Sequence, residues 1–389
     1  MKIVHTILNP ALNASRMMKE IRAVRDAFPQ SKILVLALHE GDLPERDRIA
    51  DQVEIRRVRL KSRNWSRSLP VQVFKLAEWS WRVLAASRAF GPDLVHSHSL
   101  GTLPAAVLIK LVTGASLIYD AHELETERNG IRGIRQEFSR LAEKILMPFV
   151  DDVLVVCESI AEWYKFRYRG KHINVIYNAP SARSSTPALD RDLRAEIGAS
   201  ADDVLFLYLG GLEYGRGIPL LLECFRGQPA HRKLLFIGYG SLVNNVKEAA
   251  RTCGNISYHP AVPSDQVVAV ASSADVGICL LDSEALSYRY ALPNKLFEYC
   301  AAGLPTIVNA DYPEMVRFVS TTSSGWLVPP SKEALGDILA TIDAAAVSAK
   351  RQEMRMHGPA PTWEQEAPKL IATYARHIQC DAESVFRAN

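Results

Sequence analysis

Short apolar runs alternate with helical patterns along nearly the whole chain, and they do so in two series. In the first, Ile3 to Leu8, Lys32 to Leu38, Leu94 to His96, Ser116 to Tyr119, Val153 to Cys157 and Ile173 to Tyr177 read as strands. Helical patterns over Ala14 to Ala27, Leu69 to Ala89, Leu103 to Val112 and Arg135 to Met147 separate them. Strand, helix and strand in succession build a parallel sheet covered by helices on both faces. Asn178 to Ala188, rich in Pro, Ser and Ala, reads as a linker. The second series then runs through Val204 to Leu209, Lys233 to Ile237, Ile256 to Tyr258, Val276 to Leu281, Thr306 to Val308 and Trp326 to Val328. The expected fold is α/β, two doubly wound Rossmann-like domains facing a cleft, over residues 1–180 and 189–350. An amphipathic pattern from Thr362 to Ile378 predicts a last helix within 362–389.

A chain of 389 residues is long for one core, and 48% hydrophobic with 23% charged residues is a globular rather than a disordered composition. Lys110 interrupts the longest apolar stretch, Leu103 to Ile118, so no run of the length that spans a bilayer is expected. The opening strand pattern is too short for a signal-peptide core, and the expected location is cytoplasmic. Six cysteines without C-x-x-C spacing, mostly in apolar patterns, read as reduced core thiols. The net charge of +3 is unevenly spread: nine basic residues stand between Arg56 and Arg88 against one acid, Glu78. Arg56, Arg57, Arg59, Lys61, Arg63 and Arg67, with Trp65 among them, suit an anionic membrane surface. Nucleic acid is the rival partner for such a patch, but no binding module accompanies it and none is expected.

The segment Ala291 to Pro305 carries the most chemistry. Pro293 opens a helical pattern, Gly303-Leu304-Pro305 stops it, and the apolar Thr306-Ile307-Val308 follows. Lys295 and Glu298 share one face of the first turn, where unpaired backbone N–H groups point outward. Such a helix end can hold a phosphate on the N–H groups and Lys295 while Glu298 accepts ribose hydroxyls. Two glycine turns have the same grammar. Gly210-Gly211-Leu212-Glu213-Tyr214-Gly215-Arg216-Gly217 follows one strand, with Arg216 able to fork onto a diphosphate, and Gly238-Tyr239-Gly240 follows the next. Asp282, Ser283 and Glu284 form a polar loop expected to close over a ligand. In the first half, His96-Ser97-His98 and Asp120-Ala121-His122-Glu123 put histidines just past buried strands. No Cys pair or H-E-x-x-H helix supports a zinc reading, and no metal site is expected.

These segments resemble the GT-B retaining glycosyltransferases of family 4 (glycosyl transferases group 1). The resemblance implies a metal-independent hexosyltransferase that takes a nucleotide diphosphate sugar, UDP favoured over GDP, to a lipid-linked or oligosaccharide acceptor in cell-surface polysaccharide synthesis, without a further cofactor. It implies catalytic roles for His122, Arg216 and Lys295, and donor binding by Gly211, Gly238, Tyr239, Asn294 and Glu298. On the acceptor side it implies Asn13, Ser15 and His98, and a final helix that crosses back to the first domain. The chain departs from the pattern in three places. Tyr290 stands where a second glutamate is usual, Gly211 where an arginine is usual, and Asn9 to Ser15 replaces a Gly-Gly loop, with Asn13 or Ser15 expected to cap the first helix. A non-catalytic nucleotide- or partner-binding scaffold and a nucleotide-sugar epimerase are the alternatives these departures leave open.

Overall fold

The computed structural model describes residues 1–12, 14–66, 68–182 and 192–387, with side chains to 377. The chain divides into two compact units, Met1–Tyr177 with Gln365–Asn389, and Asn178–Glu364.

The first unit runs β1 (Lys2–Thr6), α1 (Ser15–Ala27), β2 (Lys32–Leu38), β3 (Arg46–Ala50), β4 (Val53–Val58), α2 (Leu69–Phe90), β5 (Leu94–His98), α3 (Leu103–Thr113), β6 (Ser116–Ala121), α4 (Ile134–Leu146), β7 (Asp152–Val155), α5 (Glu158–Arg167) and β8 (His172–Val175). The sheet order is β3-β4-β2-β1-β5-β6-β7-β8, parallel except where β3 pairs antiparallel to β4. The order reverses beside β1, which puts the carboxyl ends of β1, β5 and β6 at the switch point where α/β sheets bind ligands. Strand β4 falls where the sequence predicts only a basic surface segment. Val53, Ile55 and Arg57 share one parity of the strand and all three are buried, so the alternation continues through an arginine.

The second unit runs α6 (Leu193–Glu196), β9 (Val204–Gly211), α7 (Ile218–Arg226), β10 (Arg232–Tyr239), α8 (Val243–Thr252), β11 (Ile256–Pro260), α9 (Val267–Ser272), β12 (Val276–Cys279), α10 (Leu286–Arg289), α11 (Asn294–Ala301), β13 (Thr306–Asn309), α12 (Pro313–Thr322), β14 (Gly325–Val328), α13 (Lys332–Thr341) and α14 (Ala344–His357). Its sheet is parallel throughout, in the order β11-β10-β9-β12-β13-β14. Phe206, Tyr208, Phe225 and Phe236 fill the core on one face. On the other, the Tyr299 ring lies where Gly277 has no side chain, and its hydroxyl accepts from Leu209 N at 2.9 Å. That contact fixes α11 against β9 and so sets where Lys295 and Glu298 stand.

The last helix, α15 (Trp363–Arg387), returns to the first unit. Glu366 accepts from Tyr177 N at 2.9 Å, Tyr374 Oη meets His96 Nδ1 at 2.6 Å, and Arg376 and His377 reach Asp152 at 2.6 and 2.7 Å. Among the described residues no helix is long and apolar enough to cross a membrane.

Candidate active site

In the second unit the glycine ends of β9 and β10 pair in parallel, Gly238 opposite Gly210 and Tyr239 opposite Gly211. Gly238 has a φ of +158° and approaches so closely that a β-carbon there would lie 1.8 Å from the Gly210 carbonyl oxygen. Its absent side chain is thus a packing requirement of the sheet, whatever the turn binds. Glu213 ties the two turns together by accepting from Ser241 N at 2.9 Å and from the Ser241 hydroxyl.

Two cations gather at this sheet edge. Lys295, the second residue of α11, is buried, with Nζ 3.8 Å from the centre of the Tyr208 ring and its side chain against Gly210. Arg216 lays its guanidinium over Gly211, where a β-carbon would be 3.6 Å from Nη1. A side chain at position 211 would therefore meet Arg216, which folds back over it from the end of the same turn. Tyr288 accepts a hydrogen bond from Arg216, while Arg216 Nε is buried without a partner. Both cations act on the buried Cys279 thiol, whose pKa burial pushes up to about 11 against their pull. Asn294 is exposed at the amino end of α11, Glu298 is half-buried one turn on, and the Tyr239 ring is exposed. The polar loop after β12 is tethered: Asp282 N donates to Gly215 O at 3.1 Å, and Ser283 N and O both meet the Tyr312 hydroxyl.

In the first unit four histidines collect at the ends of β1, β5 and β6. His5, His96 and His98 are buried with rings 4.4–5.3 Å apart. His5 Nδ1 meets His98 Nε2 at 3.0 Å, and His98 Nδ1 meets His122 Nε2 at 3.3 Å. Asp120 lies under them, accepting from Arg16 Nε and Nη2, both at 2.9 Å, and from His122 Nε2 at 2.9 Å. Burial alone would raise the Asp120 pKa, but Arg16 and His122 hold it well below the carboxylate range. An ionised carboxylate only accepts, so His122 carries its proton on Nε2 and leaves Nδ1 for a ligand. His122 is the one histidine of the four with an open side, its side chain 35% exposed. Burial disfavours its charge, yet Asp120 raises its pKa overall. Glu20 lies 3.0 Å from Arg16 Nε without a hydrogen bond, and burial and Asp120 push it up to about 8.

Glu20, His96, His98 and Asp120 bring ligand atoms within 4.8 Å of one another, the spacing of a metal cage, but the Arg16 guanidinium already stands against both acidic groups, at 3.0 Å from Glu20 and 2.9 Å from Asp120. His98 is buried behind His122 and links it to His5; it is not a surface that an acceptor touches. Ser15 is the first helical residue of α1 and exposed, while Ala14 occupies the cap position with no side-chain bond, so Ser15 does not cap the helix. Asn13 and Arg67 lie outside the described residues. The basic segment is corrected more substantially. Arg57 is 3% exposed and donates to Pro10 O and Pro44 O, which removes it from any surface patch. Arg56, Arg59 and Arg63 pair with Glu54, Glu45 and Glu40 at 3.0, 2.7 and 3.5 Å; Glu54 is on the same strand as Arg56, and Glu45 and Glu40 lie in the loop between β2 and β3, before the basic run begins. Lys61 and Trp65 stay exposed. The sequence reading missed Arg16, Glu20, His5 and Tyr374; His5 alternates with the apolar residues of β1 and could have been read as facing a ligand end.

Solved structures share this architecture. Sucrose-phosphate synthase of Thermosynechococcus elongatus is 16% identical, with a TM-score of 0.76 over 98% of this chain and 100% of that one. HepE of Anabaena, solved with UDP-glucose, is 12% identical, with a TM-score of 0.72 over 97% and 100%. WaaG, a glycosyltransferase involved in lipopolysaccharide biosynthesis, is 15% identical, with a TM-score of 0.67 over 94% and 98%. No curated protein sequence matches the chain. Residues 15–179 match the family model of the glycosyl transferase 4-like domain, and residues 190–354 that of glycosyl transferases group 1. Fold and family matches together define a GT-B glycosyltransferase. Within that class the chain belongs to the glycosyl transferases group 1, family 4.

Proposed function

We propose that the chain is a retaining hexosyltransferase that uses a nucleotide diphosphate sugar, UDP in preference to GDP, and delivers the sugar to a lipid-linked or oligosaccharide acceptor of cell-surface polysaccharide synthesis. The convergence of Lys295 and Arg216 on the glycine end of β9, with Lys295 at the amino end of α11, supports it most directly. These groups stabilise the diphosphate as its bond to the sugar lengthens, and Glu298 accepts from the ribose. With that much positive charge supplied by the protein, the leaving group needs no metal ion. The leaving phosphate takes the acceptor proton in a front-face displacement, and His122 serves on the acceptor side as a hydrogen-bonding group through Nδ1. The reading draws on HepE, solved with UDP-glucose, and on WaaG, a lipopolysaccharide glycosyltransferase.

Release of UDP from UDP-glucose, measured with and without EDTA and compared with GDP-mannose, tests it. Turnover that persists in EDTA is expected. Loss restored by Mg²⁺ would overturn the metal-independent mechanism, binding without turnover would favour a scaffold, and isomerisation of the donor sugar alone would favour an epimerase.

A further inference from the structure

Helices α2, α3 and α4 cover one face of the first sheet side by side, α3 packing against both neighbours. Their outward sides are not those of solvated helices. On α4, Ile134, Phe138, Leu141 and Ile145 recur at helical spacing and all are exposed, Ile134 by 80%. On α3, Leu108, Leu111 and Val112 do the same. On α2, Phe74 is exposed, and two turns on Trp81 is 74% exposed. Single exposed apolar residues are ordinary, but aligned rows on three neighbouring helices make a patch that calls for a partner.

The charge around the patch selects that partner. Next to Ile134, Arg135 lines a cavity of about 940 Å³ together with Lys75 and with Arg59 and Arg63; Glu45 and Glu40 pair with those two arginines, so the excess of positive charge there comes from Arg135 and Lys75. Next to Ile145, Lys144 lines a second cavity, of about 420 Å³, with Arg167, Arg169 and Lys171 and no carboxylate. The α4 stripe, roughly 16 Å long at 1.5 Å per residue, thus ends at both sides in cationic basins. Helix α4 itself carries two carboxylates. Glu143 is buried beneath the hydroxyls of Tyr119, Tyr164 and Tyr168, and Glu137 is paired with Arg140 at 2.7 Å. Trp65 stacks on Phe74 at 5.3 Å beside the patch.

We propose that this face docks on an anionic phospholipid bilayer, with the α4 stripe entering the acyl boundary and the two basins receiving headgroup phosphates. A second copy of the chain would have to leave these basins without counter-charge or set them against each other. The proposal deepens the lipid-linked acceptor reading and rests on it for its purpose, while the binding rests on the surface alone.

Flotation with vesicles of phosphatidylglycerol and phosphatidylcholine in equal parts, or of phosphatidylcholine alone, at low and high salt, is the test. The protein should float with the anionic vesicles and be released by salt, at about fivefold in binding for each cation near the surface. Phe138→Ser, Leu141→Ser and Ile145→Ser together should weaken binding by ~10-fold or more. Lys144→Ser with Arg169→Ser should weaken binding to the anionic vesicles by about 25-fold, at the same fivefold per cation, and leave binding to phosphatidylcholine alone unchanged. All five side chains are exposed, so unchanged thermal melts are expected to accompany the loss. No flotation, or flotation that both variants retain, overturns the proposal. So does a dimer in sedimentation that the triple variant converts to monomer, which would give the stripe to a second copy. UDP binding on the same samples separates the two readings: a protein that binds UDP and ignores vesicles keeps the donor site and loses the docking face.

Discussion

Arg16 and Asp120, 104 residues apart in sequence, meet as a buried bidentate ion pair with both N···O distances at 2.9 Å. The pair joins the first turn of α1 to the end of β6, and it fixes the ring of His122 through the same carboxylate. Replacing one member of such a pair leaves a buried charge without a partner. Asp120→Asn is therefore expected to destabilise the first unit by about 3–5 kcal/mol, read from urea unfolding; a change below 1 kcal/mol would show that Arg16 is satisfied elsewhere.

The same cluster sets a pH optimum for stability. His5 and His96 are held well below the ordinary histidine value by burial and by their histidine neighbours, and burial brings His98 down to about 4. The unfolded chain binds protons below pH 6.5 that the fold refuses, so stability is full above that pH and lost as pH falls towards 4. Glu20 acts in the opposite sense. Raised to about 8 by burial and by Asp120, it binds a proton in the fold that the unfolded chain has released above about 4.5. Its contribution is lost as pH rises towards 8. Each group is worth ~1.4 kcal/mol per pH unit within its window, and below pH 6.5 three histidines outweigh one carboxyl. Melting temperatures against pH should peak near neutrality, and Glu20→Gln should reduce the alkaline fall, of which His122, also raised by Asp120, keeps a part, while the acid side persists. A flat profile for the parent protein would contradict the assignment.

Lys295→Met keeps the length of a buried side chain and removes its charge. If the ammonium meets the leaving diphosphate, turnover of UDP-glucose should fall by about 10²- to 10³-fold in a protein that melts normally. Equal turnover would reduce Lys295 to a packing partner of Tyr208.

Glu298→Gln removes a charge-assisted acceptor worth roughly 1.5–3 kcal/mol. UDP affinity by calorimetry should weaken about 10- to 150-fold, whereas Glu284→Gln, in the loop beyond β12, should leave it nearly unchanged. Equal affinities for parent and Glu298→Gln would remove the ribose contact.

At Gly238 the expected failure is of folding. A β-carbon placed 1.8 Å from a backbone oxygen in paired strands has no flexible neighbour to yield. Gly238→Ala should cost on the order of 4–5 kcal/mol and cut soluble yield sharply. A stable variant with weakened UDP binding alone would make Gly238 a ligand contact and nothing more.

Much of the architecture was legible because the period of the apolar runs is set by the sheets themselves. All six strands of the second unit lie where the runs lie, and β2 agrees from Lys32 to Leu38. β3 and β4 escaped because their outward residues are charged and one inward residue is Arg57, whose guanidinium finds carbonyl oxygens of distant turns. The helix turn of Lys295 and Glu298 was legible from local spacing. The support beneath His122 was not, since Arg16, Asp120 and His5 come together only when β1, β5 and β6 are ordered in the sheet. Likewise, the approach of the Arg216 guanidinium to Gly211 depends on how the turn folds back, which no residue count supplies.

The contact between Tyr374 on α15 and His96 on β5 spans 278 residues. On a ribosome the sheet that holds His96 is made early, yet the helix that covers its core is made after the whole of Asn178–Glu364. The later unit, whose pairings are all internal to its own stretch, can close first, while the earlier one waits with part of its interior uncovered. Truncation before Gln365 would leave that wait without an end, and nascent chains arrested there are where chaperone dependence should concentrate.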